Sequence, residues 1–372
     1  MAPTLWFVYL RPDAAVYTFV GMTDRDQSAQ PNVLPFATHL DAPIEGQIKH
    51  VPEDFRVDEV PLYAATGTGE HLYVRFQKRD LDTKIAVRRI ADALGASERD
   101  AGFAGMKDRR AVTTQWASFV RGDAERLKDA KLEGIEVLEV SRHANKLRTG
   151  HLAGNRFTLR LRGADPARAA DAERVLGELA TRGVPAYYGE QRFGRDGDNV
   201  ARARAWIVDG GPPPRAHFER KLFVSSLQSA IFNELLAARV SDGTWCGVID
   251  GDVVRKEDSG GLFIATGEAL PDAQARAERF EVSATGPMMG AKMKRPEGAA
   301  LAQEEAAMAR HGLDEAKLAR FARDGEGTRR PYRMKLTDPT VTADPEGLVL
   351  SFTLPAGAYA TVVLRELTRA DR

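Results

Sequence analysis

Strand-like patterns at both ends of the chain, separated by a helical and loop-rich middle, constrain the fold more than any other feature of this sequence. Alternating or β-rich segments, HLYVRFQ (71–77), VTTQWASFV (112–120) and GIEVLEV (134–140), predict strands in the first half. LVLSFTLPAGAYATVVLREL (348–367) predicts a strand and then a short helix. Because insertions are tolerated at exposed loops, a return to strand character predicts one domain interrupted by another.

Other segments predict elements of both kinds. LDTKIAVRRIADALG (81–95) predicts a helix that Asp82 or Thr83 caps and Gly95 ends. ADPARAADAERVLGELATRGVP (164–185) and KLFVSSLQSAIFNELLAARV (221–240) predict two further helices, and residues 299–323 a helical stretch. QIKHVPEDFRVDEVP (47–61) predicts two short strands broken at Pro52, and GVID and GLFIAT predict strands at 247–250 and 261–266.

The change in character places domain boundaries near Gly183 and near Thr340. Residues 1–35 differ from the rest, and 23–32 have the polar composition of a linker. We therefore expect an N-terminal extension, and Met22 is a candidate alternative start.

Composition limits the class of protein. The chain has 372 residues, 43% hydrophobic and 28% charged, as expected of a soluble globular protein. The formal net charge is zero, so nucleic-acid binding would have to depend on local basic patches. Cys246 is the single cysteine, which excludes an internal disulfide and an all-cysteine metal site. The sequence has no membrane-length apolar run or signal peptide, so we expect a cytoplasmic protein.

Ala101–Val120 places one carboxylate, Asp108, among the bases Lys107, Arg109 and Arg110. Adjacent cations keep a carboxylate ionised and attract an anionic ligand. The motif fits a carboxylate presented to a phosphate-bearing substrate, but read alone it fits an ordinary solvated turn between a helix and a strand better.

The stretch Ser141–Gly163 contains six Lys or Arg residues and no acid. At its end Phe157, Leu159 and Leu161 alternate with arginines, which predicts a half-buried strand with a basic face. The functional alternative is a surface that binds successive phosphates of a nucleic acid, with an aromatic side chain at its opening.

Common catalytic motifs do not fit. The seven histidines are scattered without an HExxH pattern, so no zinc site is predicted. Gly286–Met293 lacks the spacing of a phosphate-binding loop, and the sequence contains no GxSxG elbow. The remaining features favour an enzyme that acts on nucleic acid through a carboxylate, with a plain RNA-binding module as the alternative.

The segment GFAGMKDRRAVTTQ (102–115) resembles the tRNA pseudouridine synthase D (TruD) family. The resemblance continues in the family's order through EDFRVDEVP, NKLRTGHLAGNRF, GVPAYYGEQRFG, SSLQSAIFNELLAAR and LPAGAYATVVLREL. It covers about residues 35–372, whereas residues 1–30 have no recognised counterpart.

The resemblance implies an α+β fold with a mixed, largely antiparallel sheet flanked by helices and interrupted by a second α/β domain. The implied ranges are 1–35 for the extension, 36–182 and 340–372 for the catalytic domain, and 183–339 for the insertion domain. The implied reaction is isomerisation of uridine to pseudouridine in tRNA, at position 13 of a glutamate tRNA in bacterial relatives. It requires no cofactor or metal, and we expect a monomer whose partner is tRNA.

The family's active-site residues fall on Asp108, Lys49, Asn155 and Phe157, with Asp108 as the catalytic aspartate. Whether Asp108 attacks C1′, attacks C6 or acts as a base stays open. An RNA-binding module without catalysis and a metal-independent nuclease or glycosylase remain rival functions. Candidate RNA-binding residues are the basic side chains Lys107, Arg109, Arg110, Arg142, Lys146, Arg148, Arg192, Arg195, Arg329 and Arg330.

Overall fold

The computed structural model describes residues 34–194 and 197–370 in full, together with the backbone of two strands at 6–8 and 19–21. The strands are β1 (Trp6–Val8), β2 (Phe19–Gly21), β3 (Phe55–Pro61), β4 (His71–Arg79), β5 (Gly102–Phe103), β6 (Val112–Val120), β7 (Ile135–His143), β8 (Leu152–Arg162), β9 (Val184–Pro185), β10 (Asp252–Lys256), β11 (Leu262–Ala265), β12 (Val282–Met288), β13 (Thr328–Pro331), β14 (Arg333–Met334), β15 (Thr337–Asp344) and β16 (Gly347–Pro355). The α-helices are α1 (Thr83–Leu94), α2 (Ala169–Arg182), α3 (Asn199–Ile207), α4 (His217–Ser241), α5 (Ala269–Glu278), α6 (Gly298–Arg310), α7 (Glu315–Arg320) and α8 (Ala360–Thr368).

The chain forms two compact units. Of the fully described residues, unit 1 contains 40–177 and 336–360, and unit 2 contains 34–39, 178–335 and 361–370. Unit 2 thus includes residues 361–370. The sequence analysis instead assigned these residues, with the rest of 340–372, to the catalytic domain. The predicted alternative start at Met22 and the linker at 23–32 lie outside the described residues.

Unit 1 is organised by one sheet in the order β15-β16-β8-β3-β6-β4-β7, with β5 paired to β6. β3 and β6 run parallel, and the other pairings of the sheet are antiparallel. Helix α1 covers one face, where Val87 and Ile90 share a buried core with Val74 and Phe76 of β4. The predicted mixed, largely antiparallel sheet is confirmed.

Local sequence signals define α1 as predicted. The Asp82 Oδ1 atom accepts a hydrogen bond from the Lys84 amide at 2.8 Å, which satisfies one of the free donors of the first turn. Gly95 ends the helix with a φ of 67°, in the left-handed region that glycine adopts without steric cost. The helix therefore begins and ends where capping chemistry predicts.

Three predicted elements differ from the structure. Residues 47–54 form no strand; Gln47 makes an isolated bridge to Arg162, and a 3-10 turn at Pro52–Asp54 leads into β3. The segment GVID is a connection before β10 and not a strand. The predicted helical stretch at 299–323 is divided into α6 and α7 near Gly312, whose φ is 70°.

Unit 2 contains a smaller antiparallel sheet in the order β11-β10-β12-β13, and α4 packs against β12. Unit 2 contains two buried ion pairs in addition to its apolar core. Arg239 Nη1 donates to Asp252 Oδ2 at 2.9 Å, and Arg329 Nη2 donates to Glu304 Oε1 at 2.7 Å. Because each pair is two-pronged and buried, it fixes the packing of the strands and helices that carry it.

Candidate active site

The parallel pair β3 and β6 brings two connecting segments to one edge of the unit 1 sheet. Arg56 lies opposite Val112 in the register of the two strands. The segments that enter parallel neighbours reach the sheet at the same end, so residues 49–54 and 104–111 meet there. The first segment carries Lys49 and the second carries Asp108.

Lys49 and Asp108 form an ion pair at this edge. Lys49 Nζ lies 3.4 Å from Asp108 Oδ2, and the side chains are 19% and 54% exposed. The Lys49 ammonium also lies 4.0 Å from the centroid of the Phe55 ring, a cation–π contact. The φ of Lys49 is 56°, an uncommon conformation for a residue with a side chain. The surrounding structure thus holds Lys49 in a strained conformation and its ammonium against an accessible carboxylate.

Lys78 of β4 supports the Asp108 loop from inside the protein. Its side chain is fully buried, and its Nζ atom donates to the backbone carbonyl oxygen of Asp108 at 2.7 Å. Burial lowers the pKa of Lys78 to about 8, although the negative charges of Asp108 and Asp82 oppose this shift. Lys78 therefore fixes the backbone that carries the exposed carboxylate.

Lys107 and Glu59 form a second, buried support. Lys107 Nζ lies 2.7 Å from Glu59 Oε2, and the two side chains are 6% and 1% exposed. The Lys107 amide donates to Thr83 Oγ1 at 3.1 Å, while Glu59 Oε1 accepts from the Trp116 amide at 3.2 Å. This burial does not fit the predicted RNA contact of Lys107, because its ammonium forms an ion pair with Glu59 inside the protein.

Phe157 lies in a row of aromatic rings on β8 and its neighbours. Its ring centroid is 6.3 Å from that of Phe55 and 5.7 Å from that of Phe352. The residue is 7% exposed, so most of its ring surface already packs against other side chains. Asn155 lies two residues earlier on the same strand face, and its Oδ1 atom is buried without a hydrogen-bond partner among the described residues.

The predicted basic residues separate into two groups. Arg109, Arg110, Arg142 and Arg148 are exposed and Lys146 is half-buried, all in unit 1. The guanidinium of Arg330 packs 4.3 Å from the Tyr188 ring centroid in unit 2, and Arg192 is half-buried there. The side chain of Arg329 is 1% exposed and is paired with Glu304, which does not fit its predicted RNA contact. Arg195 lies outside the described residues.

Three supporting residues were missed by the sequence analysis: Lys78, Glu59 and Thr83. One signal was present for Lys78, since the alternation of Leu72, Val74 and Phe76 continues to position 78 on the same buried face. The described residues contain no group of three or more His, Cys, Asp or Glu side chains that could hold a metal ion. Among them, no helix is both long and apolar enough to span a membrane.

Known proteins with similar sequences are tRNA-modifying enzymes. A tRNA pseudouridine synthase D from Anaeromyxobacter sp. (strain Fw109-5) is 46% identical over 331 residues, covering 87% of this chain and 93% of the relative. A tRNA pseudouridine synthase D from Thermus thermophilus is 41% identical over 347 residues, covering 92% of this chain and 94% of the relative. This level of identity defines the class as that of tRNA pseudouridine synthases, which are isomerases.

The family model of tRNA pseudouridine synthase D (TruD) matches residues 33–211 and 218–367. The chain therefore belongs to the tRNA pseudouridine synthase D (TruD) family. A crystal structure assigned to tRNA pseudouridine synthase D from Methanosarcina mazei has the same fold, with a TM-score of 0.73. It is 23% identical in sequence and covers 92% of this chain and 98% of its own.

Proposed function

We propose that this tRNA pseudouridine synthase converts uridine to pseudouridine at position 13 of a glutamate tRNA, with Asp108 as the catalytic carboxylate. The observation that carries the proposal is the Lys49–Asp108 ion pair at an accessible edge of the unit 1 sheet. The proposed catalytic domain takes residues 36–182 and 340–372, and the proposed insertion domain takes residues 183–339. The proposed setting is a monomer in the cytoplasm, with tRNA as its partner.

The target uridine has to leave the RNA stack before the carboxylate can reach its sugar or base. Extrusion of a nucleotide costs a few kcal/mol, which the enzyme must recover by binding the base. In our proposal Phe157 provides part of the surface under the base, because stacking on an aromatic ring contributes about 1–3 kcal/mol. Asn155 Oδ1 is buried and has no hydrogen-bond partner in the described ranges, so it is suited to accept an N–H from the uracil edge.

Asp108 then acts as nucleophile or as base. In the nucleophilic routes its carboxylate attacks C1′ or C6, the C1′–N1 bond breaks, and the uracil rotates and rejoins C1′ through C5. The bond between Asp108 and C1′ or C6 breaks in turn, which regenerates the carboxylate. A base finally removes the C5 proton, and N1 gains one. Every atom of the substrate is retained in the product, so the proposed reaction needs no cofactor. Lys49 holds the Asp108 carboxylate in one orientation through their hydrogen bond.

Cations of unit 1 that are exposed or, for Lys146, half-buried are the proposed contacts to the tRNA backbone: Arg109, Arg110, Arg142, Lys146 and Arg148. Their side chains are accessible at or beside the Asp108 loop and along β7 and the segment that follows it. Each true phosphate contact should steepen the dependence of log Kd on log salt by slightly less than one unit.

The proposed function is tested by mapping pseudouridines in tRNA from cells with and without this protein. We expect one pseudouridine, at position 13 of a glutamate tRNA, to depend on the protein. A purified protein that binds tRNA but forms no pseudouridine would favour the RNA-binding module. Strand cleavage or release of free uracil, with no pseudouridine formed, would favour the nuclease or glycosylase.

A further inference from the structure

Unit 2 contains a cavity that the catalytic proposal does not use. Its volume is about 620 Å³, within the range of sites that hold small ligands. The first half of α4, the turn at Glu190–Phe193 and the segment 323–326 form its wall. Two of the motifs that carry the family resemblance, GVPAYYGEQRFG and SSLQSAIFNELLAAR, contribute residues to this wall.

These two motifs hold Arg192 at the cavity in a fixed orientation. Ser226 Oγ donates to the Arg192 carbonyl oxygen at 2.8 Å, and Arg192 Nε donates to Ser229 Oγ at 3.3 Å. The guanidinium lies 5.3 Å from the Tyr188 ring centroid. Tyr188 is itself fixed by Asn233, whose amide bonds both the N–H and the C=O of Tyr188 at 2.9 Å.

This arrangement leaves the two terminal nitrogens of Arg192 without a hydrogen-bond partner in the described part of the chain. A guanidinium that is already oriented loses little conformational freedom when its planar fork binds an anion. Phosphate oxygens match that fork with two parallel hydrogen bonds. Arg192 is therefore suited to bind one phosphate group.

The charge around the cavity is positive in sum. The acids in its wall, Asp324 and Glu326, are each paired with a base: Arg220 Nε lies 3.3 Å from Asp324 Oδ1, and Lys292 Nζ lies 2.9 Å from Glu326 Oε1. The two remaining wall cations, Lys221 and Arg323, are exposed and form no ion pair with another described residue. Together with Arg192 they leave an excess of positive charge that attracts an anion.

An aromatic ring lies beside these cations. Phe218, in the first turn of α4, lines the cavity and is 73% exposed, more than any other large apolar side chain in the fully described ranges. An exposed ring contributes little to folding, since most of its surface remains in water. Cations next to an exposed aromatic ring are the combination that binds single-stranded nucleotides through phosphate and base together.

We propose that this cavity binds one nucleotide of the RNA substrate, with its phosphate on Arg192, Lys221 and Arg323 and its base stacked on Phe218. The proposal rests on the proposed function only in taking RNA as the substrate. Asp108 has no part in it, so the cavity contributes to binding of the tRNA and not to the chemical step.

The experiment measures the affinity of the full-length protein for an unmodified glutamate tRNA transcript at several salt concentrations. In the double variant Lys221→Glu/Arg323→Glu we expect Kd to rise at least tenfold, with a salt slope lower by slightly less than one unit, because one phosphate contact is lost. KM for tRNA should rise with Kd, whereas kcat at saturating tRNA should stay unchanged. Lys256→Glu is the control for charge reversal elsewhere in unit 2, because Lys256 is another exposed lysine of that unit; its Kd should stay within about twofold.

The aromatic contact is tested separately. Phe218→Ser should weaken tRNA binding about tenfold, and Phe218→Tyr should retain it, because a tyrosine ring stacks equally well. The thermal midpoints of these variants should match that of the unaltered protein, since the changed side chains are exposed.

Two results would overturn the proposal. In the first, the double variant binds tRNA as tightly as Lys256→Glu. In the second, adenosine monophosphate binds the unaltered protein and not the double variant, while tRNA affinity is the same in both, which would make the cavity a site for free nucleotides. The same affinity measurements are repeated with each variant combined with Asp108→Asn. Because they report only tRNA binding, they test the cavity whether or not Asp108 is the catalytic residue.

Discussion

Lys107 and Asp108 are neighbours in the sequence, yet the ion pairs they form lie in opposite environments. Lys107 pairs with Glu59 inside unit 1, where water is almost excluded. Asp108 pairs with Lys49 at an accessible sheet edge. Burial makes the loss of one partner costly, whereas an exposed pair contributes little to stability and stays available to a substrate. The comparison indicates that one pair holds the loop while the other is available for chemistry.

The largest expected effect on stability comes from breaking the buried pair. Glu59→Ala leaves the Lys107 ammonium and the Trp116 amide without their acceptor, so we expect the free energy of unfolding to fall by about 3–5 kcal/mol. Denaturant unfolding measures this change. Glu59→Ala/Lys107→Met removes both charges and should recover part of the loss; a double variant as unstable as Glu59→Ala would show that the pair is not the cause.

The second prediction concerns pH and Lys78. Its pKa of about 8 in the folded protein is lower than that of an unfolded lysine, so between pH 8 and about 10.5 the unfolded state binds more protons. Stability contributed by this group therefore grows as pH rises from 8 to about 10.5, and it is lost as pH falls back to 8. We expect the unfolding free energy of the unaltered protein, relative to Lys78→Met, to increase by about 2–3 kcal/mol from pH 7 to pH 10.

The same variant tests whether Lys78 positions the loop that carries the proposed catalytic residue Asp108. Without the hydrogen bond to the Asp108 carbonyl oxygen, the carboxylate is free to shift, and we expect kcat to fall roughly 10²-fold with little change in KM. An unchanged kcat together with the expected pH-dependent stability would leave Lys78 a purely structural residue.

The smallest expected effect on stability belongs to the exposed pair. Lys49→Met should change the free energy of unfolding by less than about 1 kcal/mol, because the pair is partly in water. Its kcat should nevertheless fall by roughly 10²-fold, since the cation that orients Asp108 is lost. Lys84→Met, at an exposed position of α1, is the control and should change neither quantity. A stability loss as large as that of Glu59→Ala would contradict the comparison.

Much of the fold could be predicted because its signals are local. Helix α1 has a capping aspartate and a terminal glycine at the right spacing, and β6 has a continuous β-branched and aromatic pattern. The segment before β3 was predicted wrongly as a strand, because its conformation depends on tertiary contacts of Lys49 and not on propensity. A periodic pattern reports which face is buried, and it does not report where a loop is held.

The site was only partly predictable for the same reason. Asp108 and Lys49 were located through the family resemblance, and nothing in the charge pattern distinguishes the buried Lys107 from the exposed Arg109 and Arg110. The role of Glu59 depends on where the pairing of β3 with β6 ends. The pairing stops at Asp58 and Thr114, and the Glu59 carboxylate then accepts a hydrogen bond from the Trp116 amide. Such a role requires the three-dimensional register of the strands.

The central claim is that the Asp108 carboxylate performs the chemistry and its neighbours only hold it. The most direct measurement is the single-turnover rate of pseudouridine formation by Asp108→Asn, made together with the Kd for the same tRNA transcript. The account predicts no detectable product, an affinity within a few fold of the unaltered protein, and a free energy of unfolding within about 1 kcal/mol. Pseudouridine formed at the unaltered rate by Asp108→Asn would contradict it.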